Sequence, residues 1–402
     1  MNTMSISQAS TLLNAVVQQA TGQANLTAIT TPGDLVAVAQ KALLTGADPI
    51  LNALSQVWSR SIFAYRNYDA PNAALRMELD RWGNAIRKVS PVSGLMLDDD
   101  RFIWPVAYDS SHVGNELGNG QSVDHYEIQK QEVQQLNFYG TAVYEQLYTI
   151  FKDNFDSAFS NADEFARFNA MNVQERANDR ETYLEQVGRM LQANYVGALL
   201  DENDNYRVIH ALTEYNALSG ASLTNQTVFD PANFAGFIRW LYSRIVTTAR
   251  MFGERSNLYQ TIVDSKAVLR HTKPEDMRIA VFAPFMDMIN AQVLSTTYHD
   301  NYLDNAKWEG VNFWQSIKTP DSISLTPVYT DTNGALATAS AVSESWIIGI
   351  IHDRDALGYA VTNEWAAVTP LNIRGGYWNE AHHMNVKTMM DMTEKGAVIL
   401  LD

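Results

Sequence analysis

The chain has 402 residues, of which 46% are hydrophobic, and it contains no cysteine. This length and composition predict a globular protein with a substantial buried core. The absence of cysteine excludes a disulfide scaffold, a thiolate metal site and a cysteine nucleophile. With 45 acidic and 29 basic residues, the net charge of −16 argues against a protein that condenses nucleic acid by neutralising phosphates.

The sequence shows no pattern typical of membrane insertion or secretion. No apolar run approaches the roughly 20 residues that span a bilayer, and residues 1–5 lack the basic start of a secretory signal. These features predict a soluble protein that is made and used in a cytosol.

The first 35 residues predict an N-terminal arm. Ile6, Leu13 and Val17 recur at helical spacing, and a polar stretch follows them. A face made only of small and medium aliphatic side chains is thin for an independent domain, so this helix is expected to dock on a larger body or on a neighbouring subunit. Helical spacing continues through residues 35–64.

From residue 69 to about 126 the sequence loses strong periodicity and gains proline, glycine and the acidic triplet Asp98–Asp100. Such a long stretch indicates a functional loop or an extended arm. Consecutive acids rarely converge on one substrate. The triplet is therefore interpreted as a solvated loop that faces basic groups of a neighbouring subunit, rather than as a cation site or an acid and base pair.

The middle of the chain predicts a long helix. An aromatic band between Phe138 and Phe159 contains a single interleaved basic residue, Lys152, so core or interface packing is favoured over base stacking. Helical periodicity then runs without proline over residues 161–195. After the capping residues 160–163, about 32 residues of this segment form a rod of roughly 48 Å.

Residues 197–345 alternate between strand and helix patterns. We predict a strand at 206–209, a helix from Asp230–Pro231 to about Phe252, a strand at 277–282 and a helix after Pro284, followed by short strands and turns. This order is typical of a mixed α/β unit.

The last residues predict two hairpins. Residues 346–351 form an apolar run, Asp353–Asp355 supply a turn, and alternation to Val361 indicates a returning strand. Further on, residues 377–392 alternate broadly, Thr393–Gly396 suits a tight turn whose glycine permits positive φ, and residues 397–402 form a final strand. The chain is thus expected to end in a long two-stranded ribbon.

Motifs for common chemistry are missing from the sequence. It has no phosphate-binding loop, no nucleophile elbow and no His-Glu-x-x-His pair. Residues 201–205 superficially match a calcium loop, but Tyr206 and Leu212 stand where glycine and glutamate are needed, so a polar turn is favoured. His382 and His383 point to opposite faces of a strand, and only Glu380 shares a face with His382. The sequence therefore predicts no catalytic residue, no cofactor and no metal.

Residues 347–355, the Asn372–Asn379 segment with Gly375 and Gly376, and the terminal strands resemble the C-terminal part of tailed-phage major capsid proteins of the Hong Kong 97-type fold, most similarly those of small podophages. The resemblance implies an α+β fold with an N-terminal arm, an extended loop, a long spine helix, a peripheral domain and an α/β axial domain. Mapped onto this chain, the arm is 1–35, the first peripheral part is 36–207 with the loop near 75–127 and the spine helix near 161–195, the axial domain is 208–370, and the second peripheral part is 371–402.

The resemblance also implies a function. The chain would self-assemble into the hexamers and pentamers of an icosahedral shell that encloses double-stranded DNA without sequence-specific binding, with a separate scaffolding protein and a portal as partners. It would be located in the virion after assembly in the host cytoplasm. The residues proposed for contacts between subunits are Asp98, Asp99, Asp100, Arg101, Arg374, Trp378 and Lys395.

Two alternatives remain open at the sequence level. An encapsulin-like nanocompartment has the same fold and would hold protein cargo. A soluble metal-dependent enzyme would use His382, Glu380 and acidic loop residues, and would form a small discrete species with a bound metal.

Overall fold

The computed structural model describes residues 14, 38, 75–77, 86–92, 132–138, 141–154, 162–264, 266, 268–292, 307–337 and 339–402. The predicted arm, the helical segment 35–64 and most of the predicted loop lie outside these residues. In the described part, the fold is a mixture of helices with several β-sheets.

The helices and strands are numbered here in chain order. The helices are α1 (Ala162–Glu202), α2 (Ala211–Ser219), α3 (Pro231–Gly253) and α4 (Ala283–Gln292). The strands are β1 (Ile86–Pro91), β2 (Val133–Phe138), β3 (Thr141–Phe151), β4 (Val208–His210), β5 (Met277–Phe282), β6 (Lys307–Val311), β7 (Ile323–Leu325), β8 (Val342–Glu344), β9 (Ile347–Asp353), β10 (Leu357–Val368), β11 (Tyr377–Met390) and β12 (Gly396–Leu400).

The long helix is confirmed, and it is longer than predicted. Helix α1 has 41 residues and forms a rod of roughly 60 Å at ~1.5 Å per residue. It continues past the predicted end because Tyr195, Val196 and Leu199 are buried in the main hydrophobic core. The polar segment 201–205 then ends the helix, with Asn203 at a φ of 48°. The prediction of a polar turn before a strand is confirmed.

A three-stranded antiparallel sheet, in the order β10-β11-β3, lies against α1. The alternating burial of β3 shows that one face of this sheet is directed inward and the other outward. The register between β11 and β3 runs without a shift from Tyr377 opposite Phe151 to Lys387 opposite Thr141.

A five-stranded mixed sheet, in the order β4-β12-β9-β5-β6, forms the centre of the α/β part of the chain. Every residue of β9 and β12 is buried, because the C-terminal half of α1 covers one face of the sheet and α2, α3 and α4 cover the other. Burial on both faces explains why these two segments are continuous apolar runs rather than alternating ones. The predicted helix after Asp230–Pro231, with proline in its first turn, and the predicted strand Met277–Phe282 are confirmed.

Both predicted hairpins are wrong in their pairing. Strand β9 pairs with β5 and β12 and does not pair with the strand that follows it, β10. Strand β12 pairs with β4 and β9 and does not pair with β11. The chain changes sheets at both turns, and β11 instead forms a long hairpin with β10 and pairs with β3 on its other side. A strand buried on both faces belongs in the central sheet, whereas an alternating strand belongs in the half-exposed one.

The role of Gly396 also differs from the prediction. It begins β12 and is not among the residues with positive φ. Glycine is needed here because an added Cβ would collide with the hydroxyl of Tyr195 from α1. Close packing between helix and strand, rather than turn geometry, selects this residue.

The predicted loop contains a strand that the sequence did not reveal. Strand β1 pairs antiparallel with β2, with Pro91 opposite Val133, so the two form a ribbon whose strands are connected along the chain by residues 93–131. The inward residues of β1 are Ile86, Lys88 and Ser90. Since two of these three are polar, the usual apolar alternation of a strand is absent from the sequence.

Candidate assembly surfaces

The inner face of the three-stranded sheet meets α1 through a buried ion pair. Arg176 of α1 donates two hydrogen bonds to Glu380 of β11, at 2.7 Å to Oε1 and 2.6 Å to Oε2, and both side chains are almost completely buried. His382 Nε2 lies 2.7 Å from Glu380 Oε1 and 2.9 Å from a guanidinium nitrogen of Arg176. Burial alone would raise the pKa of Glu380, but hydrogen bonds from His382 and Arg176 hold that pKa below its ordinary value.

Further polar contacts continue along this seam. Asp179 accepts hydrogen bonds from Gln146 at 2.6 Å and from the Tyr148 hydroxyl at 3.1 Å. Arg180 forms an ion pair with Glu364 of β10. Directional polar contacts thus join the helix to all three strands of the sheet.

This geometry bears on the enzyme alternative. Glu380 and His382 do share one face, as predicted, but the guanidinium of Arg176 already occupies the position at the Glu380 carboxylate that a metal ion would need. His383 points the other way and stacks on Trp365 at 3.9 Å between ring centres. Among the described residues, no group of three or more His, Asp or Glu side chains is arranged to hold a metal.

A second polar cluster anchors the β1–β2 ribbon. Lys88 Nζ donates to Asp391 Oδ2 at 2.7 Å and also pairs with Glu394. Arg270 reaches Glu394 Oε1 at 3.2 Å and donates to Ser90 Oγ at 2.9 Å. Two cations and two carboxylates, all mostly buried, thus attach the ribbon to the turn between β11 and β12. This anchor holds the ends of β1 and β2 that flank residues 93–131 against the rest of the described chain.

Three of the predicted contact residues lie within the described chain, and two of them are buried. Trp378 is fully enclosed on the inner face of β11, opposite Ile150 of β3. Lys395 is also fully buried, and its Nζ donates to the backbone oxygen of Glu254 at 2.8 Å and to Ser256 Oγ at 2.9 Å, just beyond the end of α3. Burial lowers the pKa of this amine to about 8.

These positions assign Trp378 and Lys395 a role inside the protomer, because neither side chain offers surface to a neighbour. Lys395 places its amine beside the backbone oxygens of Met251 and Glu254 at the C-terminal end of α3, where a cation is favourable. Asp98, Asp99, Asp100 and Arg101 lie outside the described residues, and their contacts stay a prediction.

Arg374 lies at an exposed hairpin tip between β10 and β11. The tip is held by Asn372, whose Oδ1 accepts hydrogen bonds at 3.1 Å from the backbone N–H groups of Arg374 and Gly375. Gly376 completes the turn with a φ of 63°. Next to Arg374, Ile373 is 93% exposed, so this hydrogen-bonded turn exposes an apolar side chain and a cation side by side.

The outer face of the three-stranded sheet presents an apolar surface that the sequence did not indicate. Val143, Leu147 and Phe151 of β3 are 63%, 65% and 52% exposed, and Trp365 of β10 is 48% exposed. We call these four residues the sheet patch. The sequence gives no usable signal for it, because Tyr144, Tyr148 and Phe151 recur at intervals of four and three residues, which is the spacing of a helix rather than of a strand. Large exposed apolar patches mark interaction sites.

Comparisons with known proteins gave likenesses to solved structures alone. No family model matches the chain, and no curated protein matches it. It is similar to "Structure of head fiber and inner core protein gp22 of native bacteriophage P68", with 9% identity, coverage of 82% of this chain and 83% of that chain, and a TM-score of 0.49. It is similar to "Capsid structure of Staphylococcus phage Andhra", with 9% identity, coverage of 82% and 83%, and a TM-score of 0.47.

A third similar structure is "Asymmetric unit of bacteriophage PhiM1 mature capsid", with 8% identity, coverage of 84% of this chain and 88% of that chain, and a TM-score of 0.41. In the described part of the chain, no helix has the length and apolar character needed to cross a lipid bilayer. At these TM-scores, any functional assignment depends on the geometry of the chain itself.

Proposed function

We propose that this chain is the major capsid protein of a tailed bacteriophage, which self-assembles into hexamers and pentamers of an icosahedral shell around double-stranded DNA. The observation that carries the proposal is the arrangement around α1. This 41-residue helix bears a half-exposed three-stranded sheet along one part and enters the core of a five-stranded α/β unit at its C-terminal end. That combination agrees with the spine, peripheral and axial parts that the resemblance of the sequence implies.

We propose a domain assignment that the same arrangement supports. The three-stranded sheet with α1 corresponds to the peripheral part, and the five-stranded sheet with α2, α3 and α4 corresponds to the axial part. Strand β12 belongs to the five-stranded sheet. We therefore assign β11 to the peripheral part and β12 to the axial part, which divides the C-terminal segment between the two.

The exposed surfaces support a function based on association. The sheet patch presents apolar side chains on one face of a sheet, and the hairpin tip presents Ile373 and Arg374 on a rigid turn. A protomer with such surfaces gains free energy when copies of itself cover them. Many weak contacts of this kind add cooperatively in a closed lattice.

The charge of the chain is compatible with a shell that encloses DNA, rather than with a protein that binds DNA as a ligand. A net charge of −16 supplies no general attraction for phosphates. The DNA would therefore be enclosed by a shell that a motor fills, with a scaffolding protein and a portal directing assembly. No catalytic step belongs to this function.

Electron microscopy of the purified protein tests the proposal directly. We expect closed shells or capsomers, formed by the chain alone or with a coexpressed scaffolding protein. A compact monomer that stays monodisperse under both conditions would contradict the proposal. Shells that enclose protein cargo rather than nucleic acid or scaffold would favour the nanocompartment alternative.

The hairpin tip provides a test of the contacts between subunits. In the described part of the chain, Arg374 forms no ion pair, so we propose that its guanidinium meets a carboxylate of an adjacent subunit. Arg374→Ala should leave the unfolding midpoint of the protomer unchanged and reduce particle yield, as measured by sedimentation. Lys318→Ala, at another exposed turn, is the matched control. Equal yields for both variants would show that the pairing is absent.

A further inference from the structure

One edge of the three-stranded sheet is formed by β3, and none of the described strands covers it. In the order β10-β11-β3, this strand has one neighbour, and no described strand pairs with its other side between residues 142 and 151. The opposite edge is partly covered, because Arg76 bridges to Tyr359 of β10 and the N–H of Met77 donates to the oxygen of Tyr359 at 2.8 Å. The two edges of the sheet therefore differ in how they are protected.

Strand β3 lacks the features that normally prevent an edge strand from pairing with another chain. Such strands are short, carry lysine or proline, or contain a bulge. Strand β3 has 11 residues, contains neither lysine nor proline, and keeps an unbroken register with β11. Its single charged residue is Glu145, whose carboxylate lies 3.8 Å from His383 of the same chain. An edge of this kind is suited to accept a further strand.

The outward side chains of β3 are complementary to themselves in one antiparallel register. With a twofold axis at Leu147, this residue faces its own copy, and Val143 faces Phe151. Glu145 then lies opposite Thr149, so the two carboxylates do not face each other. Moving the axis to Gln146 places Val143 opposite Thr149 and Glu145 opposite Leu147, which mismatches apolar and polar groups. Moving it to Glu145 places like charges directly opposite, which is destabilising.

We propose that β3 pairs antiparallel with β3 of a second copy of this chain, about a twofold axis at Leu147. The three-stranded sheets of two protomers then become one six-stranded sheet, and the apolar side chains of β3 pack against those of the partner. The proposal deepens the proposed function and rests on it in one respect, because a shell supplies the second copy at high local concentration. In that shell, the two β3 strands form an isologous contact, in which the same surface of each subunit meets the other.

Disulfide trapping tests this register, and the absence of native cysteine makes it unambiguous. Directly opposite residues in an antiparallel pair have Cα atoms about 4.5–5.5 Å apart, which is within disulfide range. Under mild oxidation, Leu147→Cys should form a covalent dimer on a non-reducing gel. Thr149→Cys should not, because the two copies of residue 149 are four residues out of register and roughly 13 Å apart along the strands.

A mixing experiment provides a second, independent measurement. Val143→Cys and Phe151→Cys should each remain uncrosslinked alone and should form a covalent dimer when the two proteins are assembled together. Leu218→Cys, at an exposed position on α2, controls for random collision. Sedimentation of each reduced variant shows whether it still assembles like the wild type.

The outcomes separate this proposal from the proposed function. If the wild type forms shells and assembled Leu147→Cys gives no more dimer than Leu218→Cys, the strand pairing is wrong and the capsid assignment stands. If Thr149→Cys crosslinks as readily as Leu147→Cys, the register is wrong. If Leu147→Cys crosslinks in a soluble dimer and no shells form under any condition, the strand pair is correct and the capsid assignment fails.

Discussion

At the residue scale, a buried ion pair makes a contribution to the free energy of unfolding that can be measured. Arg176 and Glu380 are 1% and 0% exposed, and each compensates the charge of the other. Removing one partner of such a pair leaves an uncompensated charge in the protein interior, whereas replacing both with apolar groups can be neutral.

Arg176→Met should therefore lower the free energy of unfolding by about 3–5 kcal/mol. The double variant Arg176→Met/Glu380→Met should recover much of this loss, as measured by urea denaturation. Arg244→Ala removes the more exposed pair with Glu214 and serves as the control, with an expected cost of at most about 1 kcal/mol. A double variant as unstable as the single one would show that the pair itself stabilises the fold.

His352 predicts a pH dependence of stability. Burial at the centre of the five-stranded sheet lowers the pKa of this imidazole from 6.5 to about 4. The unfolded chain then binds a proton more readily than the folded one, so stability falls as the pH drops from about 6.5 to about 4. The loss amounts to about 3 kcal/mol at the lower limit.

Urea unfolding of the protomer at pH 7 and pH 4.5 measures this effect. His352→Gln should reduce stability at pH 7 and should show a shallower decline towards pH 4.5 than the wild type. His210→Gln, which alters an exposed histidine paired with Asp402, is the matched control. If the decline is equally steep in the His352 variant, other groups cause it.

At the scale of elements, the β1–β2 ribbon controls where the predicted extended loop begins. Lys88 and Arg270 anchor the ribbon to the turn between β11 and β12, so the two strands that flank residues 93–131 are held in place. The original expectation placed the loop near 75–127. The structure shows that its first described residues instead form a bridge to β10 and a strand.

Replacing residues 93–131 with a short turn should leave a folded protomer that cannot close shells. Pro91 and Val133 are directly opposite, so a turn can join the strands without changing their register. The unfolding transition measures folding, and electron microscopy measures closure. Normal particles from this variant would show that the loop is dispensable for assembly.

For β9 to β12, local sequence patterns predicted the strands but not which strands pair with each other. The apolar runs of β9 and β12 correctly indicate buried strands, and the alternation of β10 and β11 correctly indicates half-buried ones. Proximity along the chain favours pairing β9 with β10 and β11 with β12. The burial of each strand favours a different arrangement, in which both turns cross between sheets.

At the scale of the whole molecule, net charge opposes assembly and burial of apolar surface favours it. Each copy carries a charge of −16, so bringing many copies together costs electrostatic free energy. Salt screens this repulsion over a distance that falls from about 30 Å at 0.01 M to about 8 Å at 0.15 M.

The assembled fraction should therefore rise with salt over this range, as measured by light scattering at constant protein concentration. Unfolding of the unassembled protomer at the same salt concentrations is the control for a change in its own stability. Assembly that weakens as salt is added would show that ion pairs between subunits, such as the one proposed for Arg374, dominate over repulsion.

The sequence by itself determined the long helix α1, helix α3, the strands β5, β9, β10, β11 and β12, the α/β character of residues 197–345 and the absence of cysteine chemistry. These depend on periodicity and composition, which are local. The tertiary structure decided which strands share a sheet, that Trp378 and Lys395 are enclosed, and that β3 exposes apolar side chains on the outer face at a sheet edge that no described strand covers. The physical reason is that strand partners and burial depend on contacts between residues far apart in the chain. Gly396 illustrates this, because a helix about two hundred positions earlier in the chain restricts it to glycine.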